Sequence, residues 1–340
     1  MTVLGIETSC DECSVAVVDD GVRILGQRTA VQLEEHAPFK GVVPEIASRT
    51  HTQWIVGVYY DALGAAGIDA DAIDAVAVTT RPGLVGSLVV GLSFAKALAY
   101  GLGVPIVGVD HILAHLYAPQ LSAPVDYPFV GLLVSGGHTM IVRVDSPLDI
   151  EVLGTTIDDA IGEAFDKVAK YYDLGYPGGP AIDRLAGEGD SDVYRFPDAY
   201  LHKGDHRYDV SYSGLKTAVI NQRDQFRTGS RAATMADLAA GFQRAAVDSV
   251  VKRTIRAVED SGLATIVVGG GVAANSYLRA SLDAIGRTRG LDVRFPPMEL
   301  CSDNGAMIAG LAYHLLAAGG SDGLDLDVAA RVSGFRRPYP

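Results

Sequence analysis

The sequence predicts an α/β protein of two related lobes, with a mainly helical insert in the second lobe. A chain of 340 residues, of which 48% are hydrophobic, is long enough to bury two cores of ordinary domain size. Its 39 glycines are scattered among strand-like runs, as expected for the tight turns of an α/β protein. The strongest observation is that one order of strands and loops occurs twice along the chain.

The duplicated pattern pairs residues 5–29 with residues 131–155. Each segment begins with an apolar strand, breaks into a short polar loop at Ser9 or Ser135, and continues into two further strands. Each half then supplies another strand and a glycine-rich turn that opens a helix. A matched series of this length favours duplication over the chance similarity of β-hairpins. Backbone N–H groups in such loops can bind phosphates.

The predicted boundaries follow from this duplication. We expect a first lobe over residues 1–110, a second lobe over residues 111–330 and a tail over residues 331–340. The insert should occupy about residues 160–262, where the second copy of the pattern is interrupted.

Local signals bound individual elements of the chain. The third strand of the first copy should end near Gly26, and Pro44 is well placed in the first turn of a helix. Apolar periodicity predicts further helices from Leu84 to Tyr100 and from Ala306 to Leu316. None of these runs is expected to reach the length of a membrane span.

Charge and cysteine content exclude some classes of protein. The formal net charge of −13 has the wrong sign for nucleic-acid binding over the whole surface, so RNA contact needs a local basic patch or a partner. No signal peptide is recognised, and an odd number of cysteines argues against a disulfide framework, so we expect a soluble cytoplasmic protein. The basic clusters, which ordinary solvated helix faces would explain equally well, are Lys252, Arg253 and Arg256; Arg279, Arg287 and Arg289; and Arg336 with Arg337.

His111 and His115 form the most informative pair in the sequence. Residues four apart lie on one face of a helix, so both imidazoles could bind one metal ion. A zinc peptidase of the H-E-x-x-H type carries Glu after the first His, and Ile112 in that place argues against peptide hydrolysis. For an isolated pair, packing or solvent exposure would be the simpler explanation, and a third ligand has to come from elsewhere.

Asp303 is the candidate third ligand, because it lies just before the predicted C-terminal apolar helix. Aspartate is also a common helix N-cap, and spacing alone favours capping over metal binding. Two imidazoles and one carboxylate would leave open coordination positions for a substrate, and such a set suits iron(II) or zinc.

The polar loops of the two copies differ in chemistry. In the run from Ser135 to Thr139, two glycines after a buried strand let the backbone approach a ligand closely, although a tight hairpin turn would look the same. The matching loop of the first copy carries Asp11 and Glu12 where phosphates would otherwise lie. Two carboxylates there fit a nearby cation or a water that needs activation, or else an exposed acidic turn.

Two further segments could contact a nucleotide. The run from Gly269 to Asn275 follows a buried strand, and we interpret it as a mononucleotide site in which Asn275 donates a hydrogen bond. In the insert, Asp166 and Asp183 flank Gly178-Gly179 and would be free to reach a sugar hydroxyl. Surface salt bridging is the alternative role for both aspartates.

Taken together, these motifs resemble the tRNA threonylcarbamoyladenosine transferase family, which belongs to the sugar kinase, heat-shock and actin superfamily. The matching runs, in chain order, are GIETSCDE, PGLVGSL, HILAH, LLVSGGHT, IDDAIGEAFDK, YPGGP, SYSGLKT, GGGVAAN and CSDNGAMIA. An ordered series over essentially the whole chain is more specific than any of its members. Arg81 departs from the family, which usually has glycine there, and Cys13 replaces a more typical threonine.

The resemblance implies an actin-like two-lobed fold with duplicated mixed β-sheets, and it implies roles for individual residues. His111, His115 and Asp303 would bind one divalent metal ion, with Fe²⁺ favoured and Zn²⁺ as the alternative. Asp11 is the expected proton acceptor, with Glu12 second. The residues implied to bind threonylcarbamoyl-AMP, or ATP or AMP, are Leu133, Val134, Ser135, Gly136, Gly137, Asp166, Gly179, Asp183 and Asn275.

The implied reaction moves the threonylcarbamoyl group of threonylcarbamoyl-AMP to the exocyclic amine of adenosine at position 37 of tRNAs that read codons beginning with A. The implied partners are tRNA, a paralogous actin-like scaffold subunit and a small P-loop ATPase subunit, with no membrane. By analogy, the helix from Pro44 to Leu63 would contact a partner. The rival functions are a kinase of the same superfamily, which would not need the histidine pair, a metalloprotease, and a non-catalytic nucleotide-binding scaffold.

Overall fold

The structure, a computed structural model, describes residues 1–199, 206–229 and 232–331. Its contacts divide the chain into two compact units. The first unit consists of Met1–Val125, Ser146–Asp149 and the described residues from Pro296 onward, and the second consists of Asp126–Asp145 and Ile150–Phe295. The division therefore lies after Val125 rather than at residue 110, and the segment from Pro296 belongs to the first unit instead of the second. Apart from Arg331, the expected tail lies outside the described residues.

Strands and α-helices are numbered in chain order. The strands are β1 (Thr2–Glu7), β2 (Glu12–Asp19), β3 (Arg23–Val31), β4 (Ala75–Arg81), β5 (Ile106–Asp110), β6 (Phe129–Val134), β7 (Thr139–Ser146), β8 (Asp149–Thr155), β9 (Thr265–Gly269) and β10 (Asp292–Arg294). The helices are α1 (Leu33–His36), α2 (Pro44–Ala66), α3 (Val85–Leu102), α4 (His111–Tyr117), α5 (Ile161–Tyr171), α6 (Gly178–Ala186), α7 (Ser213–Gln222), α8 (Met235–Ser261), α9 (Ser276–Arg289) and α10 (Gly305–Ala317). Helix α2 begins at Pro44, as the sequence predicts.

A five-stranded mixed sheet in the order β3-β2-β1-β4-β5 forms the centre of the first unit. The first three strands are antiparallel, whereas β4 and β5 run parallel to β1. Leu4 and Ile6 pack in one apolar cluster with α2 and α3, and Val3 packs in another with α10, so β1 is buried on both faces. Strand β3 continues past the expected end at Gly26, because it stays paired with β2 as far as Val31.

The second unit repeats this plan. Its five-stranded sheet has the order β10-β9-β6-β7-β8, in which β6 and β7 are antiparallel and β9 and β10 run parallel to β6. Read from the other edge, this order matches that of the first sheet strand for strand, so the predicted duplication is confirmed. Helices α5 to α8 lie between β8 and β9, where the helical insert was expected.

Helix α3 corrects one expectation from the sequence. Its 18 residues have a mean hydropathy of 1.6, so it is long and apolar enough to cross a membrane by length and composition. The core helix of a soluble protein passes the same test. Leu88, Leu92, Ala95 and Ala99 recur at helical spacing and form one buried face of α3.

Helix α10 approaches strand β1 closely where two glycines meet. A Cβ atom added to Gly5 would lie 2.2 Å from the carbonyl oxygen of Gly305 and 2.6 Å from the backbone nitrogen of Ala309. A Cβ atom on Gly305 would lie 2.7 Å from the carbonyl oxygen of Gly5. The helix therefore rests on the backbone of the strand, which explains why the segment from Pro296 belongs to the first unit.

This contact predicts that Gly5→Ala lowers the free energy of unfolding by about 3 kcal/mol, since the new methyl group meets backbone atoms that cannot rotate away. Gly57→Ala is the matched control, because no atom lies within 4 Å of the added Cβ and the site is inside helix α2. The control should gain about 0.5–1 kcal/mol from helix propensity. Urea unfolding of both variants provides the measurement, and equal stabilities would contradict the close contact.

Candidate metal centre and nucleotide loops

Helix α4 presents the histidine pair at the end of strand β5. The Asp110 side chain caps the helix by accepting hydrogen bonds from the backbone N–H groups of Ile112 at 2.9 Å and Leu113 at 3.3 Å. His111 is consequently the first helical residue, and His115 follows one turn later on the same face. The two imidazole rings meet edge to face with their centroids 4.5 Å apart.

Asp303 lies against both imidazoles and does not cap helix α10. The cap is Asn304, whose side-chain oxygen accepts from the backbone N–H of Met307 at 2.9 Å. The Asp303 carboxylate oxygen Oδ1 lies 3.1 Å from Nε2 of His115 and 3.5 Å from Nε2 of His111. The three side chains offer one ligand atom each within 4.8 Å of one another. The structure thus brings together the trio that the sequence predicts.

Glu7 is a member of this cluster that the sequence analysis missed. Its buried carboxylate accepts hydrogen bonds from the backbone N–H of Ser9 and the hydroxyl of Thr79, and its Oε2 lies 2.9 Å from Nδ1 of His111. Nδ1–H of His111 donates to Glu7, so Nε2, which faces Asp303, is the nitrogen that would bind a metal once it has lost its own proton. The sequence signal that could have indicated Glu7 is a glutamate at the end of an otherwise apolar strand.

The buried charges of the cluster stabilise one another. Burial alone would raise the pKa of Glu7, but the adjacent His111 outweighs it and holds that pKa below its ordinary value. Burial likewise opposes the charge of Asp303, yet His111 and His115 lower its pKa to about 2. For His111, the carboxylates of Asp303 and Glu7 overcome burial and raise the pKa to about 9. Burial and the neighbouring His111 charge lower the pKa of His115.

The donor set fits a divalent cation. Ligand atoms that share one zinc-sized ion each lie about 2.0–2.2 Å from it, so they approach one another to within about 3–4 Å. The separations from Asp303 to both imidazoles are in this range. A carboxylate behind one histidine is the usual outer partner of a metal-binding imidazole, and Glu7 supplies it for His111. Two nitrogens and one oxygen suit Fe²⁺ or Zn²⁺ and do not distinguish between them.

Asp11 lies in the turn between β1 and β2, and Glu12 is the first residue of β2, within the same unit as the histidines. Burial and then the nearby charges of Asp303 and Asp11 raise the pKa of Glu12 well above its ordinary value. Glu12 therefore lies near enough to the cluster to sense its charge. A half-buried carboxyl with a raised pKa can hold or accept a proton at neutral pH.

Leu133 to Gly137 lie at the carboxyl end of β6, next to β9. Leu133 pairs with Gly269, and Gly270 has a φ of +93° with its Cα so close to the carbonyl oxygen of Val134 that an added Cβ would lie 2.4 Å away. Among the described residues, no atom beyond the adjoining ones lies within 4 Å of a Cβ built on Gly136 or Gly137, so this part of the loop is open to a ligand. Ligands commonly bind at the carboxyl ends of parallel strands.

Asp166 and Asp183 both accept hydrogen bonds within the protein, and their expected contact with a sugar hydroxyl stays a prediction. Asp166 accepts from the backbone N–H of Gly178 at 2.8 Å. The carboxylate of Asp183 accepts from the side chains of Asn275 at 3.1 Å and Ser276 at 2.7 Å. Donors at the start of a neighbouring helix satisfy both aspartates, because Asp166 faces the first turn of α6 and Asp183 faces the first turn of α9.

Asn275 is similarly engaged. Its oxygen accepts from the backbone N–H of Leu278 at 2.9 Å and caps helix α9, while its amide nitrogen donates to Asp183 and to Gln243, each at 3.1 Å. Direct donation to a base or ribose would require one of these bonds to be exchanged. In the part of the chain that the structure describes, no atom outside α6 itself and the neighbouring residues lies within 4 Å of a Cβ built on Gly179, so open space adjoins the first turn of α6.

Several expected basic residues have structural roles. Arg253 is buried and donates to Asp198 at 3.1 Å and to the Ser249 carbonyl at 2.6 Å, so it cannot form part of an RNA-binding surface. The guanidinium of Arg279 lies 4.7 Å from the centre of the Phe295 ring. Lys252, Arg256, Arg287 and Arg289 are exposed on helices of the second unit. Arg336 and Arg337 lie outside the described residues.

Comparisons with solved structures concern the fold. The chain is 14% identical to component A of the (R)-2-hydroxyglutaryl-CoA dehydratase of Acidaminococcus fermentans, with a TM-score of 0.55. The match covers 93% of this chain and 99% of that protein. Full-length HypF, in a phosphate- and nucleotide-bound form, gives a TM-score of 0.62 at 14% identity, with coverage of 93% of this chain and 46% of that chain. These likenesses agree with the actin-like two-lobed α/β fold that the sequence predicts.

Comparisons with known sequences identify the family. The family model for tRNA N6-adenosine threonylcarbamoyltransferase matches residues 23–310. A protein of that name from Treponema denticola is 53% identical over 337 residues, which is 99% of each chain. Another, from Borrelia garinii subsp. bavariensis, is 47% identical over 339 residues, covering 100% of this chain and 99% of the other. The chain therefore belongs to the tRNA N6-adenosine threonylcarbamoyltransferase family.

Proposed function

We propose that this chain transfers the threonylcarbamoyl group from threonylcarbamoyl-AMP to the exocyclic amine of adenosine at position 37 of tRNAs that read codons beginning with A. The observation that carries the proposal is the convergence of His111, His115 and Asp303 in a chain of this family. A divalent metal ion, Fe²⁺ by preference and Zn²⁺ as the alternative, would be held by these three residues. When bound, it would supply a Lewis acid that polarises a carbonyl or carboxylate oxygen of the threonylcarbamoyl part.

The second unit would bind the adenylate part of the substrate. The open loop at Gly136 and Gly137 would accept phosphate oxygens through backbone N–H groups. Gly179 would line the ribose side, where no atom fills the space beside it. Asp183 and Asn275 would shape this pocket through their mutual hydrogen bond rather than as free polar groups.

The transfer forms a C–N bond to the adenosine amine and breaks the bond between the carbamoyl carbon and the phosphate oxygen, so that AMP leaves. An amine conjugated with a purine ring is a poor nucleophile, and orientation should contribute more than a strong base. The amine loses one proton during the reaction. Asp11, or Glu12 with its raised pKa, would accept that proton beside the metal-binding cluster.

The proposed partners are those that the family resemblance implies, and charge and surface chemistry indicate where they would bind. A formal net charge of −13 means that tRNA needs a local basic surface, and the exposed cations Lys252, Arg256 and Arg287 of the second unit are the candidates. Helix α2 exposes Val56 and Tyr60, and apolar side chains of this kind suit a protein partner. We assign that face to a paralogous actin-like subunit, with a small P-loop ATPase completing the complex. A cytoplasmic location is proposed because the substrate is tRNA.

Reconstitution tests the function directly. The purified chain, threonylcarbamoyl-AMP, unmodified tRNA and the candidate partner subunits should together yield threonylcarbamoyladenosine, measured by mass spectrometry of digested tRNA. ATP with a panel of sugars is the parallel assay for a kinase. Absence of the modified nucleoside with the full set present would remove the proposal, and sugar phosphorylation would favour the kinase.

His111→Ala should abolish metal retention and reduce transfer to background, because the variant removes a ligand of the candidate metal. The fold should stay intact, since the buried Glu7 carboxylate, which also loses His111 as a partner, keeps the Ser9 N–H and the Thr79 hydroxyl as donors. Elemental analysis of protein purified without oxygen, followed by the transfer assay, measures both effects and also identifies the metal. His314→Ala is the control, since His314 contacts Tyr117 and lies outside the cluster. Full transfer by His111→Ala with no bound metal would defeat the assigned role.

Glu7→Gln should weaken metal binding about 10- to 100-fold, as expected for loss of an outer-shell carboxylate. The Ser9 N–H must keep an oxygen as its acceptor, so the glutamine turns its NH₂ group toward His111. Nδ1 then has to accept, and the proton moves to Nε2, the atom needed by the metal. Titration with Zn²⁺ against a chelator measures the affinity, and unchanged affinity would refute the assigned tautomer. Glu45→Gln, at an exposed pair with Arg49, is the control.

A further inference from the structure

Fully buried polar side chains lie beneath the turn that carries Asp11 and leads into Glu12. They are Gln32, which follows strand β3, His36 at the end of α1, and His51 in α2. None of the three belongs to the metal cluster or to the nucleotide loops. Burial of polar groups is unfavourable unless their hydrogen bonds are made, so the partners of these side chains define what they do.

The hydrogen bonds among them run in one direction. The backbone N–H of Val43 can only donate, and it lies 3.3 Å from Nδ1 of His36, which must therefore accept. Neutral His36 then carries its proton on Nε2 and donates to the side-chain oxygen of Gln32 at 3.2 Å. The Gln32 amide nitrogen faces Nδ1 of His51 at 3.3 Å, and Nε2–H of His51 donates to the carbonyl of Cys10 at 2.9 Å.

Both ends of the chain of hydrogen bonds specify the same direction. A backbone N–H at the start can only donate, and the Cys10 carbonyl at the end can only accept, so a neutral His51 has one consistent tautomer. Burial lowers the pKa of His51, which keeps the ring neutral at physiological pH. The series is fully satisfied only with this arrangement of protons.

Gln32 also fixes Asp11, the residue after Cys10 in the turn. The backbone N–H of Gln32 donates to the carbonyl of Asp11 at 3.2 Å, while the Gln32 side chain also donates to the carbonyl of Ala47 in α2 at 3.3 Å. Consecutive carbonyls at Cys10 and Asp11 are thus fixed from the protein interior. Movement of this turn would break at least one buried hydrogen bond, which costs about 1–3 kcal/mol.

We propose that Gln32, His36 and His51 are positioning residues that fix the turn of Asp11, which leads directly into Glu12 at the start of β2, for proton transfer. The inference rests on the proposed function, in which one of these carboxylates takes the proton of the adenosine amine. A displacement of about 1 Å in a reacting group can cost about 100-fold in rate, so the positions of the Cys10 and Asp11 carbonyls matter to turnover. The positioning residues themselves touch no substrate.

The test compares two uncharged variants of one position in the full chain. His51→Leu removes the donor to Cys10, whereas His51→Gln keeps an amide nitrogen near the place of Nε2. With threonylcarbamoyl-AMP, tRNA and partner subunits, His51→Leu should lower kcat about 10- to 100-fold and leave KM within about twofold. His51→Gln should recover most of kcat, and metal content should be unchanged in both.

Gln32→Met is the second variant, because it interrupts the chain of hydrogen bonds while both histidines remain. It should reproduce the loss of kcat in a protein whose thermal unfolding remains cooperative. His314→Leu is the matched control, since it removes a histidine that hydrogen-bonds to Tyr117 beside the β2–β3 turn, at the opposite end of strand β2. The control should keep wild-type kcat.

Nitrogen NMR of the imidazole rings reports the charge and tautomer of each histidine, which an activity assay does not measure. His36 and His51 should both appear as neutral rings protonated at Nε2 in the wild-type protein. A proton on Nδ1 of His51, or a His51→Leu variant with wild-type kcat, would overturn the positioning role. If the wild-type chain itself makes no modified adenosine, the proposed function fails first, whereas an active wild type with an equally active His51→Leu rejects the positioning role alone.

Discussion

The hydrogen bond between Glu7 and His111 is the interaction on which the candidate metal centre depends. It joins the last residue of β1 to the first residue of α4. The Glu7 carboxylate also accepts from Thr79 and Ser9, so it cannot turn away from the imidazole. Burying one carboxylate alone would cost several kcal/mol, and this cluster is stable because opposite charges and donors surround each ion.

Duplication gave the two sheets one strand order but left their polar loops chemically different. The first unit has Asp11 and Glu12 after its first strand, a pair suited to a cation or a proton. The second has Gly136 and Gly137 at the equivalent place, where an open backbone suits phosphate oxygens. The same strand order therefore supports an acidic loop in the first unit and a phosphate-type loop in the second.

Much of the fold could be predicted because local patterns specify it, whereas the metal trio was expected from the family resemblance. Helical spacing alone put His111 and His115 on one face. For Asp303, spacing favoured a helix cap, and only the fold shows that Asn304 fills that role. Glu7 was missed because a single acidic residue at a strand end has no periodic signature. The bond between Asp183 and Asn275 was equally invisible, since it joins residues far apart in the chain.

The contact between Gly5 and Gly305 has a consequence for the geometry of the cluster. Gly5 lies two residues before Glu7, and Gly305 lies two residues after Asp303, so the gap between strand and helix acts as a spacer that sets how far apart the two carboxylates are. A larger residue at either glycine would push strand β1 and helix α10 apart, and the distance between the Glu7 and Asp303 carboxylates would increase although the new side chain contacts neither. A genetic screen for loss of metal binding would then also recover substitutions at Gly5 and Gly305, although neither residue has a side-chain atom that could coordinate an ion.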